Sequence, residues 1–182
     1  MIKLKELLAI VLLLLCMHTF AQPKREFRGA WIQCVNGQFQ GMGTQQMQLT
    51  LTQQLDELQR CGINAIIFQV RPEGDAPYAS RYEPWSRFLT GVQGQAPNPY
   101  WDSLEWMVKE CHRRGMEIHA WLNPYRAKTK GTQALASTHQ YIQHPERFFW
   151  YDEMIISIHI LYQESVYLTR IHLQLILEDS RI

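Results

Sequence analysis

The side chains of this sequence best suited to chemistry gather at three places. Trp31 and Gln33 lie toward the end of one apolar run. Gln69 and Arg71 end a second, and Glu73, Asp75 and Tyr78 follow directly. His119, Trp121 and Asn123 lie along a third, with Tyr125 and Arg126 just beyond. Neutral hydrogen-bonders, cations and aromatic rings in this mixture suit sugar hydroxyls and the flat face of a sugar ring. The acids of this set, Glu73 and Asp75, lie at the same strand mouth. They share one loop, so a turn or a clamp on Arg71 explains their spacing. Plainer readings stand beside the others too. Trp31, Trp85 and Trp121 are stacking platforms or core residues, His119 is a ligand contact or a satisfied core histidine, and Trp106 reads as core.

Three strands must position these residues. Phe27–Val35, Ile63–Arg71 and Met116–Leu122 read as strands, the second apolar for six consecutive residues as expected of a strand covered on both faces. Between them lie two helical patterns. In the first, Leu51, Leu55 and Leu58 form one stripe, Thr44 is the expected N-cap and Gly62 the stop. In the second, Asp102 is the cap, Glu105 completes the pattern of a capping box, and Gly115 ends the helix. A βαβαβ order with short helix-to-strand links implies parallel strands with right-handed crossovers. The long strand-to-helix loops, Pro72–Pro99 above all, then collect at the C-terminal ends of the strands.

Side chains alternate along a strand. His119, Trp121 and Asn123 share one face, as do Ile67, Gln69 and Arg71, and as do Gly29, Trp31 and Gln33. Each strand thus has one apolar face and one that grows polar toward its C-terminus. The loop after the first strand, NGQFQGMG, lacks the GxGxxG spacing, and no acid ends the second strand, which disfavours a dinucleotide-binding sheet. The fold expected is α/β, the N-terminal portion of a (β/α)8 barrel, with its polar inner face open at the strand ends.

The bulk properties set limits. A net charge of +1 gives no basic excess for a nucleic-acid partner. Hydrophobic residues at 46% and aromatics at 12% fit a globular core. Lys3 and Lys5 followed by the apolar run Leu7–Met17 read as a signal peptide over residues 1–21, so export to the periplasm, cell surface or medium is expected, with no stable membrane span after cleavage. Cys34, Cys61 and Cys111 remain, without a CxxC pair. Cys61 and Cys111 are expected as small buried hydrophobes. No metal-ligand spacing appears among the histidines, and no metal or cofactor is expected.

The stretches FRGAWIQCV, FQVRPEGDAPYASRYEPWSRFLTG, NPYWDSLEWMVKECHRRGMEIHAWLNPYRA and HPERFFWYD resemble the glycosyl-hydrolase-like 10 family, secreted (β/α)8 barrel proteins. The resemblance covers about Arg25 to Tyr151 and implies an oligosaccharide or polysaccharide substrate. It also implies hydrolysis by two carboxylates, for which the candidate catalytic acids of this chain are Glu73 and Asp75, with further acids expected on later strands. Residues 22–151 are therefore expected as a partial barrel domain. Residues 152–182, crowded with Ile, Leu and His and without Gly or Pro, read as an atypical tail, by a shift of reading frame or as an amphipathic segment. A complete barrel needs about 250 residues, so the chain is expected to be truncated. Two functions follow, a glycoside hydrolase of which this is an incomplete piece, or a non-catalytic carbohydrate-binding protein.

Overall fold

The computed structural model of the chain describes residues 26–39, 41–130, 134–151 and 154–157. The leader expected at 1–21 and most of the tail from 158 onward lie outside them. Strands β1 (Gly29–Ile32), β2 (Ala65–Arg71) and β3 (Glu117–Leu122) form one parallel sheet in the order β1-β2-β3. Helices α1 (Thr44–Arg60) and α3 (Ser103–Arg113) connect them, and a single turn, α2 (Arg87–Thr90), lies in the long loop after β2. The register sets Trp31 beside Ile67 and Ile67 beside His119, and Gln69 beside Trp121. It slips between Gln69 and Arg71, so the strand ends are not in perfect step.

The two faces separate as alternation requires. Ile66, Phe68 and Val70 of β2 join Met47, Leu51 and Leu55 of α1 and Met107 and Cys111 of α3 in a single core. Each such side chain contributes about 1.5–3 kcal/mol when fully buried. Ile118, Ala120 and Leu122 of β3 pack against the same core. Arg114 ties the helix ends together. Its guanidinium meets Asp56 of α1 at 2.6 Å and Glu110 at 2.5 Å, while the Gln59 side chain donates to its carbonyl at 2.9 Å.

Several local details differ from the sequence expectation. The N-cap of α1 is Gly43, not Thr44. The Thr44 hydroxyl donates instead to the Pro99 carbonyl at 3.0 Å, pinning the far end of the long loop. Asp102 caps α3 as expected, with one oxygen accepting from the Glu105 amide and the other from the Ala79 amide, both at 2.9 Å. The Glu105 side chain pairs with Lys109 one turn on, so the reciprocal half of the capping box is not the contact it makes. Cys111 is buried but Cys61, at the C-cap of α1, is exposed, since the helix ends there on its solvent side. β1 is shorter than expected because the chain turns away after Ile32, and the Cys34 amide then donates to the Gln69 side chain.

Beyond β3 the chain forms a second sheet, antiparallel, of β4 (Arg126–Lys128), β5 (Phe148–Tyr151) and β6 (Met154–Ser157) in the order β4-β6-β5. A short helix α4 (Gln140–Gln143) and a 3-10 turn (Pro145–Arg147) lead into β5. Among the described residues no helix is long and apolar enough to cross a membrane.

Candidate functional site

The C-terminal end of the parallel sheet is a network centred on Arg71. Its Nε donates to Glu83 at 2.5 Å, and its Nη1 donates to the carbonyls of Asn123 and Pro124 at 2.7 and 3.0 Å. Glu83, from the middle of the long loop, is thus a carboxylate that pairs with it. Asn123 closes the other side. Its Nδ2 donates to the Pro72 carbonyl at 3.1 Å, and its Oδ1 accepts from the Trp121 indole at 3.1 Å. Arg71, Trp121 and Asn123, all expected in the mouth, are therefore together.

Glu73 and Asp75 lie one layer further in, each fully buried. Glu73 takes a two-pronged pair from Arg87, Nε at 2.9 Å and Nη2 at 3.2 Å, and the Thr129 hydroxyl also donates to it. Asp75 accepts from the Glu73 amide at 3.1 Å and from Gln93 at 3.0 Å. Burial pushes the Asp75 carboxyl up to about 6, against the lowering effect of the Gln93 hydrogen bond. His139 completes the layer. It is fully buried, its Nδ1 accepts from the Tyr141 amide at 3.1 Å, and its Nε2 lies 2.9 Å from the Glu73 carbonyl. With Nδ1 an acceptor, the proton must sit on Nε2, so the ring is neutral, and burial lowers its basicity accordingly. The imidazole fits only because residue 74 is glycine. A Cβ at Gly74, whose φ is +64°, would stand 2.8 Å from His139 Nε2.

Trp31 and Trp121 lie on the face of the sheet opposite the core. Trp31 is 69% exposed, and with Gln33 and Trp121 it lines an open hollow of about 660 Å³ that runs along β1 to Gln38, Gln54 and Glu57. Other expected residues are placed elsewhere. Gln69 is 1% exposed and its side-chain oxygen accepts from the Cys34 amide at 3.1 Å, so it braces β1 rather than facing the hollow. His119 is exposed halfway along β3, edge-on to Phe27 at 5.4 Å and 3.4 Å from Glu117, away from the Arg71 network. Tyr78 is half-buried, its phenol pushed up to about 12 mainly by burial. Tyr125 is exposed beyond β3, and Arg126 enters β4 opposite Ile156.

Glu83, Arg87, Gln93, Thr129 and His139 are not singled out by the sequence reading. Glu83 and Arg87 have a signal, charged residues within the aromatic run RYEPWSRF of a loop too long to be a plain connection. Thr129 and His139 have none, since only the fold brings them to Glu73.

The sequence profile of the glycosyl hydrolase-like 10 family matches residues 26–172. The match runs past Tyr151 into the stretch 152–182 that composition sets apart, and β6 lies in the shared part. Glycosyl hydrolase YngK of Bacillus subtilis is 39% identical over 132 residues, 69% of this chain and 26% of that protein. Glycosyl hydrolase DigH of Escherichia coli K12 is 49% identical over 79 residues, 43% of this chain and 18% of that protein. The chain thus spans about a quarter or less of the relatives it matches. With the parallel sheet, its connecting helices and the loop network all inside the matched span, the chain belongs to the glycosyl hydrolase-like 10 family.

Proposed function

We propose that this chain forms the N-terminal, substrate-positioning part of a glycoside hydrolase that cleaves O-glycosidic bonds in an oligosaccharide or polysaccharide, on a (β/α)8 barrel of which β1–β3 are the first strands. Family membership supports the reading. The observation that carries it is the hollow faced by Trp31, Trp121 and Gln33, two indoles with amide groups between helix and strand ends. Indole faces stack on the C–H face of a pyranose, and side-chain amides bridge its hydroxyls. Export behind a cleaved leader belongs to the same reading, because a polysaccharide is met outside the cytoplasm, and the apolar run Leu7–Met17 supports it.

The roles of the acids follow from their surroundings. Glu73 is saturated by Arg87 and Thr129, and Asp75 by Gln93 and a backbone amide. An acid that protonates a leaving group must reach it at roughly 2.6–3.2 Å. We assign Glu73 and Asp75 to holding the loop that shapes the mouth, with Arg71 and Asn123 fixing the strand end. A second reading, carbohydrate binding without turnover by this chain, is favoured by the same burial of both acids.

The experiment is to incubate the purified chain with a panel of soluble glycans, measuring affinity by calorimetry and reducing ends released with time. Binding together with release supports hydrolysis by the chain itself. Binding without release supports a positioning part whose reacting acids lie elsewhere, or the pure binding reading. No binding to any glycan refutes both.

A further inference from the structure

We propose that Trp150, on the antiparallel sheet, is a second sugar-stacking subsite, one that receives a pyranose ring of a chain longer than the β1–β3 hollow holds. The inference rests on the carbohydrate reading above. Trp150 is 57% exposed although its surroundings fix it. Its Nε1 donates to the Tyr141 hydroxyl at 3.3 Å, and the Tyr141 ring stands edge-on to it at 6.3 Å and 88°. Tyr141 is held in turn, edge-on to Phe148 at 5.7 Å. Across the sheet, Lys128, Ile155 and Trp150 form one row in register, and the Lys128 ammonium lies 5.6 Å over the indole.

An indole held this way has its polar atom already satisfied, and with the Lys128 ammonium over one face it offers the other to a ring. That lowers the ordering cost of stacking a ring on it. The cation beside it can donate to ring hydroxyls. The segment leading into β5 carries the partly exposed polar side chains His144, Glu146 and Arg147, which suit a polyol better than an apolar protein surface. Trp150 also lies on the mouth's side of the fold. β4 begins directly after Pro124, whose carbonyl Arg71 holds, and the Gln140 side chain of α4 donates to the Tyr82 carbonyl of the long loop at 3.3 Å. A glycan long enough to extend from the strand-end loops onto the antiparallel sheet would meet Trp150 there. A glucopyranose with equatorial hydroxyls presents the axial C–H face such a platform takes.

The test compares cellohexaose with cellobiose, and chitohexaose with chitobiose, by calorimetry on the whole chain and its Trp150→Ala and Trp150→Phe variants. The expected result is that Trp150→Ala weakens hexasaccharide binding roughly threefold to tenfold, leaves the disaccharide unchanged, and that the flat ring of Trp150→Phe restores most of the loss. Should Trp150→Ala not fold, Trp150→Leu, apolar but not flat, takes its place. Hexasaccharide affinity equal to wild type in these variants overturns the proposal, and so does an equal loss in the Phe variant, which would mark Trp150 as structural. If wild type binds hexasaccharide and disaccharide alike in both pairs, this subsite is refuted while the hollow stands. If it binds none of them, the carbohydrate reading falls with it.

Discussion

Replacing Glu73 by glutamine separates a framework role from a catalytic one. The side chain is 1% exposed and faces an Arg87 guanidinium that is 25% exposed. Glutamine keeps the size but turns one acceptor oxygen into an NH₂ group that must face either the guanidinium or the Thr129 hydroxyl. A hydrogen bond to a charged group contributes about 1.5–3 kcal/mol. Removing one partner of a fully buried pair costs about 3–5 kcal/mol. Because water reaches part of the guanidinium, the cost falls below that span, and the expected loss is about 2–3 kcal/mol. For a chain of this size that lowers Tm by roughly 5–10 °C. Urea unfolding followed by tryptophan fluorescence reads the same loss as a lower midpoint at unchanged slope. The pair should also couple. In a cycle with Arg87→Met, the double variant should lose about 1–2 kcal/mol less than the sum of the singles. Glu73→Gln within about 0.5 kcal/mol of wild type, or an additive cycle, would refute the framework role. Unchanged stability with abolished glycan cleavage would instead return Glu73 to catalysis.

Gly74→Ala should cost about 2–3 kcal/mol, the left-handed φ of +64° adding to displacement of His139 by the new methyl, and a thermal melt reads it. The ordinary folded-state remedy of a smaller neighbour, His139→Ala in the same chain, should relieve only the steric part. Asp75, raised from 3.8 to about 6 by burial, binds its proton more tightly folded than unfolded. That contribution strengthens as pH falls through about 6 toward 4, is lost as pH rises, and amounts to about 3 kcal/mol across the window. His139 acts in the opposite sense, because its basicity is lowered on folding and stability declines below its ordinary range. Wild type should therefore gain on Asp75→Asn between pH 7 and pH 5 in paired urea titrations, and a constant difference would contradict the burial of a titrating acid. Asp102→Ala should cost about 1–2 kcal/mol by removing the α3 cap and the anchor of the Ala79 amide, with faster hydrogen exchange at Glu105 and Ala79.

The strands and helices were legible because burial imposes a period. Ile66, Phe68 and Val70 had to face helices, and the glycines at 62 and 115 mark where α1 and α3 end. The polar rise along the opposite face put Arg71, Trp121 and Asn123 together correctly. Gln69 misled, since alternation gives the face of a side chain but not whether a neighbouring loop covers it, and the Cys34 amide does. Its level along the strand was equally unreadable for His119, which shares the face of Asn123 yet sits beside Ile67, halfway down. The second sheet escaped because β4 spans only Arg126–Lys128 and its pairing is with residues far along the chain. The buried layer around Glu73 escaped for the same reason. Thr129 and His139 acquire meaning only when the fold sets them against Glu73.

The hollow beside Trp31, Gln33 and Trp121 is proposed to hold a sugar. Trp31 tests it most directly, because at 69% exposure its removal leaves the core intact. The measurement is calorimetric titration of wild type and Trp31→Ala with the glycan that wild type binds best, alongside melts of both proteins. The two Tm values are expected within about 2 °C of each other. The affinity is expected to be roughly threefold to tenfold weaker in the variant. Equal affinities would place the glycan elsewhere on the molecule and rule out the Trp31 hollow as its site.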